Sequence, residues 1–170
     1  GENISREMVF VEWDLVTAEK AGFDHFMLKE IHEQPTAYRD TMSGRIDPDD
    51  RQVVLKELDM TAEEIRAVRS VHIVACGTAY HAGLVGKQVI ERLTRIPVEA
   101  EVASEYRYRE PIITKDTLVI VVSQSGETAD TLAALREARR CGARVLAITN
   151  VVGSSVAREA DDVIITWAGP

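Results

Sequence analysis

Hydrophobic positions along the chain follow two different periods, and the change falls near residue 70. Before it, Phe26, Met27, Ile31 and Tyr38 recur near helical spacing, which predicts helix over residues 23–43. Pro35 lies inside that run. The residue before a proline disfavours the α region, so two helices meeting near Gln34 are expected. Arg45 to Asp50 reads as a loop, and Asp59 or Thr61 can cap a short helix ending at Val68. After residue 70 come five short apolar runs: Val71–Ala75, Val98–Val102, Thr117–Val122, Arg144–Thr149 and Asp162–Thr166. Most are continuous rather than alternating, as parallel strands buried on both faces are. Helix-forming stretches separate several of them, notably Ala79–Leu93 and Thr128–Arg140. Strand and helix in alternation, joined by right-handed crossovers, predict an α/β fold with a parallel sheet. Residues 1–22 stand apart as an appendage, with a short strand expected at Met8–Val11. The expected organisation is therefore an appendage (1–22), a helical segment (23–70) and an α/β domain (71–170).

Composition narrows the function. The chain has 170 residues, enough for one domain with a sizeable core, and 45% are apolar, which argues against disorder. Twenty basic against 28 acidic residues give a net charge of −8. Duplex affinity rests largely on Lys and Arg at phosphates, so nucleic acid is a poor partner for this chain. Apolar runs stay well short of the ~18 residues of a membrane span, and the polar first residues lack a signal-peptide core. Cys76 and Cys141 lie far apart and form no CxxC, which speaks against a disulfide framework and for a reducing cytoplasm. No metal or other cofactor is called for.

Two loops concentrate the chemistry. Cys76-Gly77-Thr78-Ala79-Tyr80 follows the first apolar run and opens a helix; Gly77 permits a sharp turn and Thr78 places a hydroxyl at the helix start. Ser123-Gln124-Ser125-Gly126-Glu127-Thr128 follows the third run and opens another. Strand-to-helix turns of this kind present free backbone N–H groups, which suit a phosphate. In open α/β sheets ligands bind beyond the carboxyl ends of the strands, so the two loops can face one ligand. No Lys or Arg lies between Thr117 and Thr131, or between Cys76 and Gly86. Neutral donors and helix starts would therefore hold the anion, and Glu127 has to turn away from it.

A plainer reading makes Ser125 a helix cap with Glu127 in the first turn. Three hydroxyls and an amide in six residues exceed what one cap requires. Other motifs fail: Ser125 is not in a G-x-S-x-G elbow, Gly86-Lys87 lacks P-loop spacing, and no G-x-G-x-x-G occurs. His25 and His32 read as surface or packing residues, His72 as structural, His81 as an exposed helix position, and Cys76 as a small core residue. Gly153-Ser154-Ser155 repeats the strand–turn–hydroxyl theme and reads as a helix cap.

Four strings carry a family resemblance: residues 25–35 (HFMLKEIHEQP), Ala75-Cys76-Gly77-Thr78, residues 103–108 (ASEYRY) and residues 123–131 (SQSGETADT). From about residue 8 onward the chain resembles the glucosamine-6-phosphate synthase family, the isomerizing glutamine:fructose-6-phosphate aminotransferases, in their first sugar isomerase (SIS) domain. The resemblance implies a three-layer sandwich with a five-stranded parallel sheet. It implies that Thr78, Ser123, Gln124, Ser125 and Thr128 hold the phosphate of a hexose phosphate, fructose 6-phosphate or glucosamine 6-phosphate, with Gly77 and Ala79 possible additions. Many relatives have serine where Ala79 stands, so one hydroxyl contact is absent here.

The resemblance also implies what lies outside the chain. A glutaminase domain would precede it, with residues 1–22 as the segment after that domain, and glutamine would be a partner only through that domain. A second isomerase domain would supply the acid/base residues, leaving this fragment inactive by itself. A further helix would follow Pro170; without it, one sheet face should show an apolar patch, with low stability or self-association as the consequence. A homodimer is expected. The alternative reading is a stand-alone SIS module that senses phosphosugars.

Overall fold

The structure, a computed structural model, describes residues 19–47 and 49–169. The strand expected at Met8–Val11 lies outside the described residues. Helix α1 spans Phe26–Met42, and a two-residue antiparallel pair follows it, β1 (Ile46–Asp47) with β2 (Gln52–Val53). Helix α2 (Ala62–Ala67) starts at Thr61, whose side chain accepts from the Glu64 N–H while the Glu64 carboxylate accepts from Thr61 N–H. This reciprocal cap settles the choice between Asp59 and Thr61.

Two expectations need correction here. One helix, not two, covers residues 26–42, with Pro35 inside it. A proline deprives only the carbonyl four residues back of its donor. The turns on either side keep their own bonds, and the Pro35 carbonyl accepts from Arg39 Nε at 3.2 Å. The expected loop at 45–50 runs instead into a short hairpin. The Asp47 carboxylate accepts from the N–H groups of Asp49 and Asp50, which bends the chain back so that Ile46 pairs with Val53.

The α/β unit follows in order: β3 (Ser70–Ala75), α3 (Thr78–Thr94), β4 (Val98–Val102), α4 (Ala103–Tyr106), β5 (Thr117–Ser123), α5 (Ala129–Arg140), β6 (Arg144–Thr149), α6 (Ser155–Glu159) and β7 (Asp162–Ile165). The five strands form one parallel sheet in the order β4-β3-β5-β6-β7. The chain thus starts in the interior of the sheet, winds outward to β4, then returns across β3 to β5 and beyond. Connections leaving β3 and β5 diverge to opposite faces, and the crevice between them is where doubly wound sheets bind ligands.

Packing differs between the two faces. On the α5 side Val119, Val121, Val145 and Ala147 interlock with Ala134, Leu135 and Ala138, and all seven are fully buried. On the other side α3 covers β3 and β4, closing over Val71, Ile73 and Val98. Leu118, Ile120, Val122, Ile148 and Ile164 alternate onto that same face and are only half-buried. The sheet is therefore well covered on one face and thinly covered over β5, β6 and β7 on the other.

Candidate functional site

Strand β3 runs out at Ala75, and Gly77 then takes φ 59° and ψ −135°, a conformation open to glycine alone, so that α3 can begin at Thr78. No side chain caps α3. Strand β5 runs out at Ser123, and α5 begins at Ala129 with Thr128 as its N-cap. The Thr128 hydroxyl makes no capping bond; it lies 3.3 Å from Ser123 Oγ. Ser125 does not cap the helix either. Its Oγ accepts from Glu127 N–H at 3.2 Å, a local turn bond. The plain-cap reading of Ser125 is therefore not what the chain adopts.

Between the two uncapped helix starts lies a hollow of about 190 Å³. Cys76, Thr78 and Ala79 line it from one loop, and Ser123, Gln124, Ser125 and Thr128 from the other, with Val122 and Thr131 beneath. All five residues expected to hold a phosphate come together here, and Ala79 joins them. Gly77 is at the α3 start but does not line the hollow. Neither Lys nor Arg lines it. The positive potential comes from the backbone: each helix start carries about half a unit of charge on N–H groups without an intrahelical acceptor.

The second loop is held rigid from behind. Ser123 Oγ accepts from Gly126 N–H at 3.0 Å. The Gln124 carbonyl accepts from Asn150 N–H at 3.1 Å and from the Thr149 hydroxyl at 3.3 Å. A peptide carbonyl and the following N–H point in opposite directions, so fixing the Gln124 carbonyl toward β6 turns Ser125 N–H the other way. Gly126 has φ 66°, and a Cβ there would stand 2.1 Å from Ser154 Oγ. Its carbonyl accepts from Val156 N–H at 3.0 Å. Ser154 itself caps α6 by accepting from Ala157 N–H, as the sequence suggested for this third turn.

Glu127 is the one acid in the second loop. Its carboxylate accepts from Ser155 N–H at 2.7 Å and does not line the hollow. The Ser155 side chain and backbone hold its carboxyl below the usual range, so it stays ionised and tied to α6. This is the turning-away that an anion site demands of it.

Two lining residues, Val122 and Thr131, escaped the sequence reading, while Cys76, read as core, both packs against the core and lines the hollow. Cys76 sits one residue past β3 and faces the hollow half-buried, with the Thr131 hydroxyl 4.0 Å from its sulfur. Thr131 could have been found, since it lies one turn after Thr128 on the same helical face. Val122 gives no signal, because a strand-end valine reads as core. Among the histidines, His81 is exposed, His32 stacks on Phe23 at 5.2 Å, and His72 is buried with Nδ1 2.9 Å from the Tyr106 hydroxyl. Among the described residues no cluster of His, Cys, Asp or Glu could hold a metal ion, and no helix is long and apolar enough to cross a membrane.

A second hollow of about 310 Å³ adjoins the first and shares Thr78, Ala79, Val122, Ser123 and Gln124 with it. Its outer wall is largely apolar, with Ala82, Ile148 and Ala168, closed by Thr149, Asn150 and Thr166.

Known proteins resemble this chain in sequence and in fold. The chain is 64% identical, over its whole length, to the isomerizing glutamine–fructose-6-phosphate aminotransferase of Clostridium acetobutylicum, and 61% identical to that of Clostridium tetani. It spans 28% of the length of each. Among solved structures, the C-terminal domain of glucosamine-fructose-6-phosphate aminotransferase from Francisella tularensis superposes with a TM-score of 0.81 at 40% identity, over 89% of this chain and 43% of that one. The family model described as the SIS domain matches residues 64–170, the whole α/β unit and the end of α2 before it. With that match over the sheet and both candidate loops, the chain belongs to the SIS domain family.

Proposed function

We propose that this chain is the first isomerase domain of a glutamine:fructose-6-phosphate aminotransferase, and that it anchors a hexose phosphate by its phosphoryl group. One observation carries the reading: two uncapped helix starts and the hydroxyls of Thr78, Ser123, Ser125 and Thr128 meet around one cation-free hollow at the crevice of the sheet. The parent reaction makes glucosamine 6-phosphate and glutamate from fructose 6-phosphate and glutamine. In it, this domain acts by positioning: a fixed phosphoryl end sets the sugar where groups outside this chain open and isomerise it. The chain by itself would bind substrate without turning it over, and measurable isomerisation by these 170 residues would refute that.

Each hydrogen bond to a phosphoryl oxygen contributes about 1.5–3 kcal/mol. Ser125→Ala and Thr128→Ala should therefore each weaken fructose 6-phosphate binding by about ten-fold or more in a calorimetric titration. Unchanged affinity in both variants would sink the assignment. We also infer a homodimeric parent. Val85, Val89 and Leu93 form an exposed apolar row at helical spacing on α3, a surface suited to association. Sedimentation that shows only monomer at all concentrations would contradict this.

A further inference from the structure

Resting on the proposed reading, we infer that Asn150 is a positioning residue: its side chain builds the wall against which the sugar half of the ligand lies. Asn150 directly follows β6 and is buried, 4% exposed. Its backbone N–H donates to the Gln124 carbonyl and so supports the anion loop. Its side chain does something separate. Nδ2 donates to the Gly169 carbonyl at 2.6 Å, while Oδ1 accepts from the Thr166 hydroxyl at 2.9 Å and from Ala168 N–H at 2.8 Å. Three bonds from one amide thus hold the segment 166–169, and Thr166 and Ala168 of that segment line the second hollow.

The segment needs such a clamp. Trp167 has φ 52°, the left-handed region, which a bulky side chain rarely occupies. Trp167 is an exposed residue, at 46%, so burial does little to enforce the conformation. What holds the turn is the hydrogen bonding on either side of it, and Asn150 supplies most of that. The planar amide carries a donor and a doubly accepting oxygen on one short side chain, which is what these three bonds use. Asn150 therefore joins two walls through two different groups. The backbone serves the phosphoryl hollow, and the side chain serves the adjoining one.

That division sets the test. Inorganic phosphate and glucose 6-phosphate are titrated into the wild-type chain and into Asn150→Ala. The wild type is expected to bind glucose 6-phosphate more tightly than phosphate. In Asn150→Ala the phosphate affinity should hold within about two-fold, while the glucose 6-phosphate affinity drops about ten-fold toward that of phosphate. Equal losses for both ligands, or no loss for either, would overturn the role of Asn150. A wild type that binds neither ligand would instead overturn the phosphosugar reading beneath it. Should Asn150→Ala not fold, Thr166→Val removes one clamp bond and Thr166→Ser restores it. The same selective loss in the first, with recovery in the second, supports the inference, and wild-type selectivity in Thr166→Val refutes it.

Discussion

His72 lies in β3 with its ring edge against Tyr106, and burial is the main influence on its charge. Removal from water holds its pKa below the ordinary 6.5; the Glu99 carboxylate pulls the other way and Arg109 adds to the lowering. The unfolded chain therefore takes up a proton near 6.5 that the folded chain refuses until the pH is lower. His72 weakens the fold progressively as pH falls below that value and costs nothing above it. Carboxylates follow a different window. Asp162 is held below its ordinary 3.8 by Arg144, and Glu57 below 4.5 by Arg45, so what they contribute is retained until the medium is distinctly more acidic. The expectation is a melting temperature that declines between about pH 7.5 and 5.5 in the wild type and much less in His72→Gln. An equal decline in both proteins would remove His72 from the account.

Loops, rather than strands, shape the hollow between α3 and α5. Gly126 makes this testable. An added methyl group would overlap the cap of α6, and the positive φ would strain the backbone as well. Gly126→Ala should cost about 2–4 kcal/mol of stability and abolish phosphate binding. A melting temperature and affinity near those of the wild type would show that the two loops are not interlocked. The parts of the fold that could be read from the chain are those with one dominant cause. Continuous apolar runs bounded by turn residues, such as Thr117–Val122, read as central parallel strands, although the face of β5 that carries Leu118, Ile120 and Val122 is only half-buried. Thr78, Ser123, Ser125 and Thr128 could be picked out because they cluster at two strand-to-helix turns beyond what a helix cap requires, and the fold gathers them around one hollow. Pro35 misled because local preference names a helix break, whereas α1 continues through it despite a cost of about 3 kcal/mol. The clamp at Asn150 was illegible for another reason: its three partners become neighbours only after β6 and β7 pair, and no local pattern encodes that.

Across the whole molecule, the sign of the net charge opposes the ligand it is proposed to hold. A chain of charge −8 repels a phosphate at long range, and no cation lines the hollow to offset this. In the proposed site attraction would come from backbone and hydroxyl dipoles within a few ångströms, a range at which dissolved salt screens little. Raising the ionic strength then has two unequal effects. It barely touches the short-range attraction, while it weakens the long-range repulsion. A Lys/Arg clamp behaves in the opposite way, because salt screens what draws the anion in. Fructose 6-phosphate affinity should therefore stay flat, or rise slightly, between about 0.05 and 0.5 M sodium chloride, and the association rate should rise rather than fall. A steep loss of affinity over that range would mean that charged side chains grip the phosphate, and the site would have to lie somewhere other than between α3 and α5.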